Sequence, residues 1–311
     1  MSKKPRVIVI VGPTASGKTD LSIRLAKELN GEIVSADSMQ IYKKMTIGTA
    51  KPTKEEMQGI PHHMIDIVEP TENFNVAMYK EMAEQKIEEI LARGKTPIVV
   101  GGTGLYVDTL VNGIEFSNMD KDPDYCQMLE KQVEINGVDW LHEELRKVDS
   151  EAAESIEKNN IRRVIRALEI YKVTGKTKTQ LDKESRKETK YNYQIFGMLW
   201  NREELYERIN LRVDIMFETG LLEEVKELLN TDGFSKTALQ GLGYKEVVEY
   251  LEEKVSYEEM VEKIKMETRR YAKRQMTWFK RNDKIIWLDA KNKEMLLEEV
   301  LNYLIEQSTK K

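Results

Sequence analysis

Three short stretches carry side chains suited to phosphate and proton chemistry. The first is Gly12, Pro13, Thr14, Ala15, Ser16, Gly17, Lys18 and Thr19. Two glycines bracketing four residues, then Lys and Thr, match the phosphate-binding loop pattern. The glycines let backbone N–H groups turn inward around phosphate oxygens, and a following helix adds its N-terminal dipole. Lys18 supplies a point charge and Thr19 a hydroxyl for Mg²⁺. The loop points to phosphate without saying which one, so a P-loop small-molecule kinase is the first hypothesis.

The second stretch is Asp37, Ser38, Met39 and Gln40. An Asp after a strand can cap a helix, hold a Mg²⁺-bound water, or act as a general base facing the phosphate loop. The third is Gly101, Gly102, Thr103 and Gly104, which alone could be a tight turn. Arg208 and Arg212 lie four apart, on one face of a helix, with Asp214 nearby. They form either a solvated ion-paired face or a cation that neutralises a leaving pyrophosphate. Between Lys263 and Lys284, basic residues interleave with Tyr271, Trp278 and Phe279. That pattern suits RNA, with phosphates on Lys and Arg and bases stacked on rings. A basic solvated face with Met276 and Phe279 in the core is the alternative. His62 and His63 are adjacent, so in a strand they point to opposite faces and make a poor metal pair. Cys126 is the single cysteine, which excludes a disulfide within the chain and a multi-cysteine zinc site.

These stretches need elements to position them. Arg6 to Val11 reads as a buried parallel strand, since Val7 to Val11 is continuously apolar and β-branched. A helix follows from Asp20 to Asn30, with Leu21, Leu25 and Leu29 at helical spacing. Further strands are expected at Glu32–Ala36 and Thr96–Val100, with a polar loop and then a helix over Phe74–Ala92 between them. This alternation predicts an α/β fold: a P-loop NTPase-like parallel sheet flanked by helices. Ligands of such sheets bind at the carboxyl ends of strands. The three chemical stretches all sit at such ends and are expected to converge on one crevice.

The middle of the chain changes character. Residues 115–157 hold thirteen acidic and four basic side chains, whereas 158–190 hold eleven basic and four acidic. Both stretches lack strand patterns, so residues 120–190 are expected to form an all-helical insertion domain. Residues 1–119 and 191–311 would then form the core. A strand over Gln194–Trp200 returns to the sheet, and Asn201 caps a helix over Arg202–Thr219. Ser256 with Glu259 makes a capping box for a long helix over Tyr257–Arg281. A strand at Lys284–Leu288 and a helix at Lys293–Glu306 close the chain.

With 311 residues, 40% of them hydrophobic, the chain can bury a sizeable core. Its net charge of −5 excludes coating nucleic acid by bulk positive charge, so RNA contact must come from local basic patches. The longest early apolar run, Val7 to Val11, is too short for a signal core or a membrane span. A cytoplasmic protein with no membrane partner is expected.

Taken in order, the blocks of this chain resemble the bacterial tRNA dimethylallyltransferase (tRNA isopentenyltransferase) family. They are Gly12–Thr19, Ser35–Gln40 with Ile47–Pro52, Ile60–Asp66, Gly101–Thr103, Arg162–Glu169, Gln240–Tyr244 and Lys273–Trp278. The resemblance implies that the loop Gly12–Thr19 holds the diphosphate of dimethylallyl diphosphate rather than a nucleoside triphosphate. The dimethylallyl group would pass to N6 of the adenosine 3′ of the anticodon, with pyrophosphate released. It implies Asp37 as general base, Thr103 and Arg212 as further catalytic residues, and Mg²⁺ held through Thr19. The target base would have to leave its stack. Gln40 would read a base edge beside Ser38 and Met39. Arg162, Arg163 and Arg166, with Gln240, Tyr244, Lys273, Arg274, Gln275, Trp278 and Lys280, would contact the tRNA anticodon stem-loop. A monomer is expected. An isopentenyltransferase for free adenine nucleotides is the near rival. The helical insertion and basic C-terminal helix favour tRNA, since a free nucleotide needs no such grip. The intact Gly17, Lys18, Thr19 and Asp37 argue against a non-catalytic RNA-binding module.

Overall fold

The computed structural model describes residues 4–116, 122–231 and 233–309. Its centre is a parallel sheet of β1 (Arg6–Val11), β2 (Gly31–Ser35), β3 (His62–His63), β4 (Thr96–Gly101), β5 (Asn192–Leu199) and β6 (Ile286–Asp289), in the order β3-β2-β4-β1-β5-β6. Val7 to Val11 are fully buried, as a central parallel strand covered on both faces requires. β1 runs beside β4 from Ile8↔Ile98 to Val11↔Gly101, and β2 beside β4 from Gly31↔Thr96 to Ser35↔Val100. The carboxyl ends of β2, β4 and β1 are therefore neighbours, so the three chemical stretches lie side by side.

Helices α1 (Lys18–Glu28), α2 (Lys54–Met57), α3 (Val76–Ala92) and α4 (Gly104–Val111) connect the first strands. Leu21 and Leu25 of α1 pack into the apolar cluster that holds Ile8, Ile10 and Phe196. The segment read from sequence as a polar loop contains α2 and the short edge strand β3. Two residues give no readable period, which is why β3 escaped sequence analysis.

The chain forms two compact units, Met1–Leu110 with Lys190–Lys311, and Val111–Thr189. The second unit contains α5 (Pro123–Val148), α6 (Ser150–Ser155), α7 (Ile161–Thr174) and α8 (Lys178–Glu184). The border expected at residue 120 lies outside the described residues. The core of this unit joins Leu141, Leu145, Val164 and Leu168. Gly137, in the Asn136-Gly137 pair, breaks α5 with a non-helical backbone.

The returning chain supplies α9 (Arg202–Glu218), α10 (Leu221–Thr231), α11 (Tyr244–Leu251), α12 (Tyr257–Phe279) and α13 (Lys293–Thr309). Asn201 caps α9 by accepting the Glu203 N–H, and Ser256 with Glu259 forms the expected reciprocal box at α12. Among the described residues no helix is long and apolar enough to cross a membrane.

Candidate active site

The phosphate loop runs from Gly12 into α1. Gly17 caps that helix at φ 88°, in the left-handed region where a side chain would be strained. Ala15 also lies in that region, at φ 60°. Two side chains hold this strained turn from outside. Arg208 donates from Nε to the Ala15 carbonyl at 2.8 Å, and Trp200 donates from Nε1 to the Ser16 carbonyl at 2.9 Å. The Arg208 guanidinium lies 4.5 Å from the Trp200 ring centroid, a cation–π contact that ties the two supports together. With the outward carbonyls so held, the amides of the loop's end are left to face inward.

Lys18 folds back over the loop, its ammonium 2.6 Å from the Pro13 carbonyl. Burial pushes its pKa down to about 7, Arg212 pushes the same way, and Asp37 opposes both. Burial also lowers the Arg212 pKa, with Asp37 and Glu56 opposing and Arg208 adding to the fall. Among the described residues, the Arg212 Nε is a buried donor with no hydrogen-bond partner. Two cations held this close and incompletely satisfied favour an incoming polyanion. Of the helix-face alternatives for Arg208 and Arg212, a solvated ion-paired face does not form, because Asp214 pairs instead with Lys265 at 2.7 Å.

Asp37 follows β2. Its Oδ1 accepts the N–H groups of Met39 at 2.9 Å and Gln40 at 3.3 Å, which fixes the carboxylate and turns Oδ2 away from this local capping. Thr103 follows β4, and its Oγ1 accepts the Ser38 N–H at 3.0 Å. Burial pushes the Tyr271 phenol up to about 12, with Asp37 adding to the rise and the Thr103 and Gln275 side chains opposing it. Tyr271 thus joins this cluster, whereas the sequence suggested for it only a ring among the basic residues of the long helix.

Several residues expected to touch RNA are placed otherwise. Tyr244 is fully buried, and its hydroxyl donates to Glu224 at 2.6 Å. Glu224 also accepts the N–H groups of Thr46, Ile47 and Gly48 at 2.9, 2.7 and 3.1 Å. Tyr244 is therefore a buried anchor for the loop 46–50, and its expected RNA contact is corrected. Gln275 is 6% exposed, and both ends of its amide bond inside the protein, so its RNA contact is corrected too. The Trp278 indole N–H donates to Asp108 at 2.8 Å, and its ring lies against Gly104, leaving the indole half-buried. The Gln40 amide makes long bonds of 3.3 Å to the Thr49 and Ala50 carbonyls, so it is held by the loop that Glu224 anchors. Lys273, Arg274, Lys280 and Gln240 are exposed, as are Arg162 and Arg163. Arg166 pairs with Glu169 at 2.5 Å. His63 bonds to the buried Glu32 at 2.7 Å, and His62 to the Ile60 carbonyl at 2.8 Å.

Trp200 and Glu224 are supports to which the sequence assigned no role, and Arg208, expected only as part of a helix-face cation pair, holds the loop through the Ala15 carbonyl. A signal existed for Arg208, one turn before Arg212 on the same face. None existed for Glu224, whose loop partners Thr46, Ile47 and Gly48 lie more than 170 residues away.

A strand–loop–helix phosphate cradle at the carboxyl end of a central strand of a parallel sheet, with neighbouring strand-end groups beside it, defines a protein of the P-loop α/β class. The family model described as IPP transferase matches residues 40–282. The tRNA dimethylallyltransferase of Caldanaerobacter subterraneus subsp. tengcongensis is 52% identical over 307 residues, covering 96% of this chain and 97% of that protein. The chain belongs to the IPP transferase family. The crystal structure of the full-length tRNA isopentenylpyrophosphate transferase from Bacillus halodurans aligns with a TM-score of 0.74 at 44% identity, covering 99% of each chain. A eukaryotic dimethylallyltransferase described as acting on tRNA aligns with a TM-score of 0.79 at 33% identity, covering 97% of this chain and 80% of that one.

Proposed function

We propose that this protein transfers a dimethylallyl group from dimethylallyl diphosphate to N6 of the adenosine 3′ of the anticodon in tRNA, working as a cytoplasmic monomer. The observation that carries the reading is the pairing of Lys18 and Arg212, whose buried Nε has no partner among the described residues, opposite Asp37, in a chain half identical to a named tRNA dimethylallyltransferase.

The allylic C–O bond breaks as its electron pair leaves with the diphosphate. Lys18, Arg212 and the inward amides of the loop stabilise that developing charge with dipoles already in place. The exocyclic nitrogen is a weak nucleophile because its lone pair is delocalised into the ring. As its bond to the allylic carbon forms, its proton passes to Asp37 Oδ2. Thr103 holds the Asp37–Ser38 turn against β4 and faces the reaction channel.

Thr19 lies exposed in the first turn of α1, and among the described residues no cluster of three His, Cys, Asp or Glu side chains forms a metal cage. That donor set fits Mg²⁺, which binds through substrate phosphates, waters and few protein oxygens. Thr19 would hold it, and the ion would add positive charge beside the departing diphosphate.

Lys273, Arg274 and Lys280 on α12, and Arg162 and Arg163 on α7, are exposed cations suited to phosphates of the anticodon stem-loop. Gln240, Ser38 and Met39 would contact the loop nucleotides. Incubation with labelled dimethylallyl diphosphate, tRNA and Mg²⁺ tests the reading. Label in the tRNA supports it, and ATP turnover without RNA would favour a kinase instead.

A further inference from the structure

Gln275 points inward from α12, the helix whose outer side carries Lys273 and Arg274. Its Oε1 accepts the Thr14 N–H at 2.9 Å, and its Nε2 donates to the Gly102 carbonyl at 2.9 Å. Thr14 belongs to the phosphate loop. Gly102 immediately precedes Thr103, whose hydroxyl accepts the Ser38 N–H beside Asp37. One planar amide thus spans the two halves of the site.

The location of this bridge has a structural logic. The ladder between β1 and β4 ends at Val11↔Gly101. Beyond that pair the two chains separate, one into the phosphate loop and the other toward Thr103. The Gln275 amide offers one acceptor and one donor, as a peptide group does, and continues the pairing past the end of the strands. Position 102 makes room for it, because a Cβ there would lie 2.2 Å from Nε2. The Thr14 N–H, being engaged by Gln275, is not among the amides that face a phosphate.

We propose that Gln275 is a positioning residue that fixes the distance between the diphosphate cradle and the Asp37–Thr103 cluster. It thereby aligns the breaking C–O bond with the incoming nitrogen. The inference rests on the prenyl-transfer reading above. A displacement of about 1 Å between reacting partners costs roughly 10²-fold in rate, whereas each substrate binds its own half of the site. The signature of such a residue is a loss in the chemical step with little loss in either affinity.

The test uses Gln275→Met, which keeps the shape and removes both bonds, and Gln275→Glu. Single-turnover rates are measured at saturating dimethylallyl diphosphate and tRNA, with both dissociation constants and thermal unfolding followed in parallel. The Met variant is expected to lose roughly 10- to 100-fold in rate, with each dissociation constant within about threefold of wild type. The Glu variant carries the test even if the Met variant fails to fold. A protonated carboxyl can still donate to the Gly102 carbonyl, whereas an ionised one cannot and faces that oxygen with like charge. Its rate relative to wild type is therefore expected to climb as pH falls from 8 to 5.5. A full rate in the Met variant, a loss confined to affinity, or a pH-independent ratio in the Glu variant would overturn the proposal. Absence of prenyl transfer by the wild-type protein would overturn both this inference and the function on which it rests.

Discussion

Thr103 Oγ1 accepts the backbone N–H of Ser38 at 3.0 Å, joining the ends of β4 and β2 across 65 residues of sequence. The same hydroxyl donates to Ser38 Oγ at the longer distance of 3.3 Å. The short bond locks the turn that carries Asp37, while the long one leaves a proton that substrate can attract. Thr103→Ser should therefore retain turnover within a few-fold. Thr103→Val should lose about tenfold, the worth of one hydrogen bond near the top of its usual range. Equal rates in the two variants would remove the hydroxyl from the mechanism.

Asp37→Asn keeps an oxygen that can accept the Met39 N–H but cannot take a proton from the amine. Turnover should fall by about 10²–10⁴ while tRNA affinity stays within a few-fold. Single-turnover kinetics and a binding titration on the same preparation check this, and a normal rate would mean that another group accepts the proton.

Lys18 makes donor binding depend on pH. Its pKa is about 7 in the free protein, below its ordinary value of 10.5. A bound diphosphate stabilises the charged form and raises that pKa. Binding should thus take up a proton above pH 7, and affinity should weaken as pH rises, approaching tenfold per unit. Titration calorimetry at pH 8, in buffers of different ionisation heat, should show net proton uptake, because an ammonium with pKa near 7 is mostly neutral there. Lys18→Arg should abolish the uptake. Uptake that persists in that variant would assign it to a different group.

Lys273 and Arg274 are exposed on α12 and should act on RNA through phosphates. Each lost contact should flatten the log–log salt dependence of tRNA affinity by roughly 0.7–0.9. Measuring affinity at several salt concentrations for wild type and a Lys273→Ala/Arg274→Ala double variant decides the point. An unchanged slope would make this face merely solvated. Prenyl-donor affinity should be the same in both proteins.

The framework of this site was largely legible because it rests on local patterns. The buried run Val7 to Val11, the loop Gly12–Thr19 and the cap residues Asn201 and Ser256 each announce themselves within a few residues. The convergence of Asp37 and Thr103 on the loop also followed, since ligands of parallel sheets gather at strand ends. What escaped depends on pairings that only the fold creates. Gln275 and Tyr244 sit in polar, motif-like segments and were read as surface contacts, yet each turns inward to bond backbone or carboxylate partners. Identity and local spacing cannot show which way a polar side chain on an amphipathic helix points. The short edge strand β3 escaped for a different reason, being held by its neighbour Val34 and not by any pattern of its own.

The central claim is chemical, and product analysis tests it most directly. tRNA transcripts with A or G at the position 3′ of the anticodon are incubated with labelled dimethylallyl diphosphate and Mg²⁺, then digested to nucleosides. A parallel reaction offers AMP in place of tRNA. The account predicts label as an N6-dimethylallyl adenosine in the A transcript alone, with one pyrophosphate released per label incorporated. Label on AMP at a comparable rate, or equal label in the G transcript, would contradict it.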